Sequence, residues 1–241
     1  MLKIIKVLLL SILVSSCGSS ETDQEVIYDV VPQLPGKELN VAFVLVDGVY
    51  NSELVAPMDI FHHTIFHTDP AMKVFTVAPD TSVITTFEGL RILPDYSFSS
   101  SDLPSIDILV VPSAEHSMNK DLENEALIGF VRDKGTTARY VISLCDGAFV
   151  LAKAGFADGR KSTTFPSDIQ AYKEMYPDLD VLSGVSFVHD GKLITSAGGA
   201  KSYDPALYLC ELLYGREVAI GLAGGLVIDW DLAGIDHVVV P

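Results

Sequence analysis

From Leu39 onward the chain alternates two kinds of apolar run. Residues 39–46, 73–78, 106–111 and 138–142 are short and rich in β-branched side chains, which reads as strands buried on both faces. Residues 51–67, 122–133, 149–154, 166–175, 203–214 and 217–223 repeat their apolar positions at helical spacing, with Pro57 tolerated in a first turn. Strand and helix follow one another, so the expected fold class is α/β, a mainly parallel sheet sandwiched by helices. Two hairpins interrupt the alternation: 83–86 with 91–93, and 185–189 with 193–196 around Asp190-Gly191. The last stretch, 227–241, carries no pattern that assigns it to an element. Ligands of open α/β sheets bind beyond the carboxyl ends of the strands, so the loops after Val46, Val111 and Leu144 are expected to converge on one site.

The opening residues follow a different logic. Lys3 and Lys6 precede the apolar stretch 7–14, which is too short to span a bilayer as a stable helix and reads as a secretory signal. Ser15-Ser16-Cys17-Gly18 resembles the lipobox of bacterial lipoproteins, which implies cleavage after residue 16 and acylation of Cys17. An ordinary signal cut nearby, or an uncleaved anchor, is the alternative. Residues 17–38 are polar and acidic, with Pro32 and Pro35, and read as a flexible tether. What is left, 39–241, has the size of one domain. The expected location is therefore extracytoplasmic, with the lipid bilayer as a partner through acylated Cys17.

A formal charge of −16 disfavours nucleic acid and anionic headgroups as partners. Of the three cysteines, an acylated Cys17 leaves Cys145 and Cys210. Cys210 sits in the helical pattern 205–213 as a core residue, and no structural disulfide is expected.

Cys145 is the residue with candidate chemistry. In Ser143-Leu144-Cys145-Asp146-Gly147 it follows the strand-like run Ala138-Arg139-Tyr140-Val141-Ile142 and precedes the helical run from Phe149, so it falls on a strand-to-helix bend, where α/β enzymes place a nucleophile. Free N–H groups of the helix's first turn and the helix dipole favour a thiolate there. The competing reading is a buried structural cysteine.

Five segments in register resemble the ThiJ/PfpI superfamily, the class I glutamine-amidotransferase-like proteins: Glu53-Leu54-Val55-Ala56-Pro57-Met58-Asp59, Leu109-Val110-Val111-Pro112, Leu144-Cys145-Asp146-Gly147-Ala148, Gly155-Phe156-Ala157-Asp158-Gly159-Arg160, and Ser196-Ala197-Gly198-Gly199. The nearest flavour is the subgroup of isonitrile hydratases and the ligand-type domains that precede AraC-like DNA-binding regions. The resemblance implies a flavodoxin-like fold with a nucleophile elbow, Cys145 as its nucleophile and Glu53 as its acidic partner. It also implies a homodimer. As chemistry the pair is sensible, since a carboxyl that cycles its proton beside a thiol can act as general acid and base. A carboxylate in a helix's first turn is the alternative account of Glu53.

Three departures from the pattern bear on mechanism. Where relatives often carry a Gly-Gly pair, this chain has Ser113-Ala114-Glu115-His116; the Ala114 and Glu115 N–H groups are the candidate oxyanion donors, and His116 borders the site. Asp146 follows the nucleophile, where its carboxylate would raise the thiol pKa, cap the helix, or carry a proton. No histidine stands in the elbow or in Ser162-Thr163-Thr164-Phe165-Pro166, so a Cys–His triad is not evident. Phe165 is a candidate apolar wall, Gly198 and Gly199 allow backbone to approach a ligand, and Asp204 reads as a helix cap. His62, His63 and His67 lack the spacing of a zinc site; no metal and no cofactor is expected.

Two functions compete. One is hydration or hydrolysis of a small electrophilic molecule by Cys145, with Glu53, and with Asp146 as a third candidate catalytic residue. The other is a non-catalytic module that binds a small molecule or senses oxidants through Cys145.

Overall fold

Val41, Phe43 and Leu45 face one apolar layer while Ala42 and Val44 face another, because successive side chains of a strand point to opposite faces. In the computed structural model, which describes residues 35–241, this alternation makes the sheet the middle of a three-layer sandwich. The signal 1–16, Cys17 and nearly all of the 17–38 tether lie outside the described residues. The strands are β1 (Asn40–Val44), β2 (Lys73–Ala78), β3 (Ile84–Thr85), β4 (Arg91–Ile92), β5 (Tyr96–Ser97), β6 (Ile108–Val111), β7 (Tyr140–Leu144), β8 (Lys161–Ser162), β9 (Asp180–Val181), β10 (Phe187–Asp190), β11 (Leu193–Ser196) and β12 (His237–Val240). The helices are α1 (Asn51–His63), α2 (Lys120–Glu123), α3 (Glu125–Thr137), α4 (Gly147–Lys153), α5 (Ile169–Met175), α6 (Tyr203–Tyr214) and α7 (Arg216–Gly225).

Eight strands form one sheet in the order β12-β10-β11-β7-β6-β1-β2-β5. All neighbours pair parallel except β10 with β11. On one face α1, α6 and α7 cover Phe43, Val110, Ile142 and Ile194. On the other, α3, α4 and α5 cover Val44, Leu109 and Val141, with the Phe149 and Tyr172 rings 4.7 Å apart. The α/β class, the parallel sheet and both hairpins stand as expected. The helix expected over 122–133 is divided: Leu122 and Glu123 belong to α2, and α3 begins at Glu125 after Asn124, whose side chain accepts from the Leu127 N–H and caps it.

The patternless end, 227–241, contains β12, which joins the sheet edge beside β10. An edge strand of four residues with only partial burial has too little periodicity to be read from sequence. Cys210 lies in the core as a free thiol, as does Cys145. Among the described residues no helix is long and apolar enough to cross a membrane.

Candidate active site

β7 ends at Leu144, and Cys145 turns the chain through a left-handed conformation, φ +53°, before α4 begins. For a side-chain-bearing residue this conformation costs about 1–2 kcal/mol, so its surroundings must impose it. The Cys145 N–H donates to the Ser196 carbonyl at 2.9 Å, and the Cys145 carbonyl accepts from Thr164 Oγ1 at 3.1 Å. Gly147 is forced by packing, since a β-carbon there would overlap the Val111 carbonyl oxygen. The bend expected from sequence is present, with its nucleophile-type residue strained into place.

Glu53 stands in the first turn of α1 and is 4 % exposed. Its Oε1 accepts from the Gly199 N–H at 3.0 Å and its Oε2 from the Ser113 N–H at 3.3 Å, and the Cys145 thiol is close enough to influence its titration. Burial raises its pKa above the usual carboxylate range, against the opposing pull of those donors. Residues from the loops after β1, β6, β7 and β11 therefore meet at one point.

The expected low-pKa thiolate is not what this environment favours. Burial, then the charges of Glu53 and Asp146, push the Cys145 thiol well above its ordinary value; the Ser113 hydroxyl and the Asp146 N–H oppose this and lose. Cys145 is only 6 % exposed, and α4 has seven residues, so desolvation outweighs whatever its dipole supplies.

The oxyanion donors expected at Ala114 and Glu115 are both engaged. The Ala114 N–H donates to Ser117 Oγ at 2.8 Å and the Glu115 N–H to the Gly48 carbonyl at 3.0 Å. Loop 113–117 closes on itself and onto the β1 loop, a partnership that residue identities alone do not reveal. His116 lines a neighbouring cavity of about 400 Å³ with Asp47, Asp80 and Asp121.

Asp146 makes no helix-capping hydrogen bond. Its Oδ1 accepts from Thr164 Oγ1 at 2.9 Å, and burial, foremost, with the Asp168 charge among the smaller causes, pushes its pKa up to about 7. Of the three roles open to it in the sequence, raising the thiol pKa and holding a proton match these surroundings. Asp204 likewise does not cap α6; it accepts from the Ser186 hydroxyl and pairs with Lys201 at 3.6 Å.

Gly198 and Gly199 do permit close approach, but to the site itself: Gly198 lies against Cys145, and Gly199 holds Glu53. Phe165 is 38 % exposed. Its neighbours Thr163, Thr164 and Pro166 line a cavity of about 260 Å³ with Ser186, Ala197 and Lys201. Among the described residues no cluster of three His, Cys, Asp or Glu is placed to hold a metal ion.

Three site residues escape the sequence reading. Tyr50 packs on Phe87 at 4.8 Å between ring centroids; burial, then the charges of Cys145, Asp146, Glu115 and Glu53, raise its pKa, which keeps it a proton donor. Ser113 is wholly buried and donates its N–H to Glu53. The Asp168 charge, on the turn Pro166–Asp168, helps to raise the Asp146 pKa. Tyr50 and Ser113 follow β1 and β6 in the loops already expected to converge, which is the available signal; Asp168 offers none.

Known proteins agree with this architecture. The family model described as DJ-1/PfpI matches residues 39–212. An isonitrile hydratase from Pseudomonas putida is 31% identical over 182 residues, covering 75% of this chain and 75% of that one. Protein dj-1beta from Drosophila melanogaster is 30% identical over 142 residues, 59% of this chain and 74% of that one. A crystal structure of a ThiJ/PfpI family protein from Pseudomonas syringae superposes with a TM-score of 0.70 at 22% identity, covering 90% of this chain and 84% of that one, a likeness of fold. With the family pattern running through β1, β6, the Cys145 elbow and α6, this chain belongs to the DJ-1/PfpI family.

Proposed function

We propose that the protein is a cysteine-dependent enzyme that adds water to, or hydrolyses, a small electrophilic molecule, with isonitriles the first substrates to test. The observation that carries this reading is the meeting of the buried Glu53 carboxyl and the Cys145 thiol, each raising or shaping the other's titration, at a strained elbow. A thiol with a raised pKa needs a base in contact with it, and a carboxyl whose own pKa is raised is a stronger base than an ordinary one. The likeness to an isonitrile hydratase adds support.

In the first step the Cys145 S–H proton passes to Glu53 as the sulfur–carbon bond forms, and the substrate's displaced electron pair is protonated by Glu53. Water then adds to the same carbon, and Glu53 relays one of its protons to the substrate nitrogen. The carbon–sulfur bond breaks with its electron pair returning to sulfur, which recovers a proton as the new hydroxyl becomes a carbonyl. The sum is one water added, with enzyme unchanged. The Tyr50 hydroxyl is the proposed donor to developing negative charge, in place of the engaged Ala114 and Glu115 amides. The test is formamide production from a panel of alkyl isonitriles, with nitriles and aldehydes alongside. Turnover lost in Cys145→Ala and Glu53→Gln supports the reading; turnover that survives Cys145→Ala overturns it.

The near-complete burial of Cys145 and its raised thiol pKa favour a second reading, a non-catalytic binding module; its redox-sensing variant requires peroxide to reach the thiolate, which the same burial opposes. Two molecules of hydrogen peroxide would carry the thiol to sulfinate, read by mass spectrometry as a gain of two oxygens confined to Cys145. We further propose that the domain works as a homodimer tethered outside the cytoplasm through acylated Cys17. Labelled fatty acid incorporated by the wild type and not by Cys17→Ala, and a dimer mass in sedimentation, are the checks.

A further inference from the structure

In the sheet order β7-β6-β1-β2-β5 the chain leaves β1 on one side through β2 and returns to its other side as β6. Open parallel sheets bind ligands at such a reversal, outside the carboxyl ends of the strands. A cavity of about 400 Å³ lies there, walled by the loops that follow β1, β2 and β6, and neither Cys145 nor Glu53 lines it. Three aspartates, Asp47, Asp80 and Asp121, share its walls with Lys120 and His116, so acceptors and negative charge predominate. Asp47 and Asp80 are fixed through their Oδ1 atoms, which accept from the Thr85 N–H at 2.9 Å and the Ser82 N–H at 2.7 Å. Asp121 differs: it is 9 % exposed, and its Oδ2 has no hydrogen-bond partner among the described residues. A buried carboxylate oxygen without a donor is costly. Burial raises the Asp121 pKa against the opposing His116 charge and Ser117 hydroxyl, which marks the same shortage of donors.

We propose that this cavity is a binding site for a small primary alkylammonium ion, its N–H groups bonded to the Asp121 carboxylate and its alkyl chain against Val83 and Ile84, which line the same space. An ammonium head brings three donors to walls that offer carboxylate acceptors. Hydrogen bonds between ionised partners are about twice as strong as neutral ones, and the alkyl chain gains by leaving water against the apolar wall. A bare metal ion is a poorer match, since among the described residues no three His, Cys, Asp or Glu are placed to hold one. The formal charge of −16 draws every cation toward the protein. Discrimination therefore comes from the buried acceptor, which an ion without N–H groups leaves unsatisfied. The site is independent of the reading of Cys145 as a reacting group.

The test is a titration of the nitrogen-15-labelled full chain with butylammonium chloride, followed through amide resonances, against sodium chloride at equal ionic strength. Saturable shifts confined to the loops that carry Asp47, Asp80 and Asp121, with a millimolar dissociation constant, are expected. Asp121→Asn should weaken binding by about tenfold or more. It replaces an under-bonded carboxylate by a neutral group of the same shape, so the fold should tolerate it. Asp80→Asn, on an exposed turn, should weaken binding several-fold and serves even if the first variant does not fold. Tetramethylammonium chloride, with the charge but no N–H, should bind about tenfold more weakly than butylammonium. Cys145→Ala should bind butylammonium as the wild type does, so failed isonitrile turnover leaves the titration intact. Shifts that do not saturate, or that sodium chloride reproduces, overturn the proposal. So does an affinity unchanged in both aspartate variants, or one equal for tetramethylammonium.

Discussion

Gly198 lies flat against Cys145: a β-carbon on Gly198 would overlap the Cys145 Cβ and stand 2.7 Å from its backbone nitrogen. The loop after β11 is thus the surface on which the elbow is moulded, and the positive φ of both residues, +76° and +53°, belongs to one arrangement.

Gly198→Ala is therefore expected to destabilise the domain by about 2–4 kcal/mol, combining overpacking with backbone strain. Urea unfolding followed by circular dichroism measures it. A loss below about 0.5 kcal/mol would mean that the elbow adjusts freely.

Glu53→Gln should separate reactivity from turnover. Removing the carboxylate removes one of the charges that hold the Cys145 thiol up, so alkylation near pH 8 should speed up several-fold. Turnover of any substrate should fall by about 10²-fold or more, because the base is gone. Slower alkylation together with unchanged turnover would contradict the role given to this carboxyl.

Asp146→Asn should stabilise the protein in a pH-dependent way. The folded carboxyl has its pKa raised from 3.8 to about 7. Below 3.8 the carboxyl is protonated folded or unfolded and the substitution gains little. As pH rises through that window the unfolded chain ionises freely while the folded one resists, so wild-type stability drains away. Above pH 7 the variant should be more stable by about 1–3 kcal/mol, as read from denaturant midpoints at pH 4 and pH 8. Equal gains at both pH values would exclude this origin.

Trp230 donates its indole N–H to Glu211, which is 2 % exposed in the core. Trp230→Phe leaves a buried carboxylate short of a donor and should cost about 2–4 kcal/mol. Trp230 is the chain's single tryptophan, so unfolding of the variant is followed by circular dichroism. A neutral result would place the carboxylate's main support elsewhere.

The residues of the site divide by how far their chemistry depends on distant partners. Cys145 is legible because a strand, a bend and a helix are consecutive in sequence, and Glu53 because family-like residues surround it. The state of the thiol was not, since burial and two carboxylates, one of them 92 positions away, decide it. Ala114 and Glu115 have the right backbone groups in the right loop. Ser117 and Gly48 already occupy them.

Local pattern by itself determined the α/β class, the strand and helix sequence, both hairpins and the elbow, because period-two and helical spacing are properties of neighbouring residues. Tertiary structure alone decided that β12 closes the sheet edge beside β10, that Gly198 and Gly199 serve Cys145 and Glu53, and that Thr164 holds Asp146. Those outcomes depend on which loops the parallel crossovers bring to the same end of the sheet and on how much water they exclude there. Hydrogen-bond partners and desolvation are three-dimensional quantities, and no spacing along one chain encodes them.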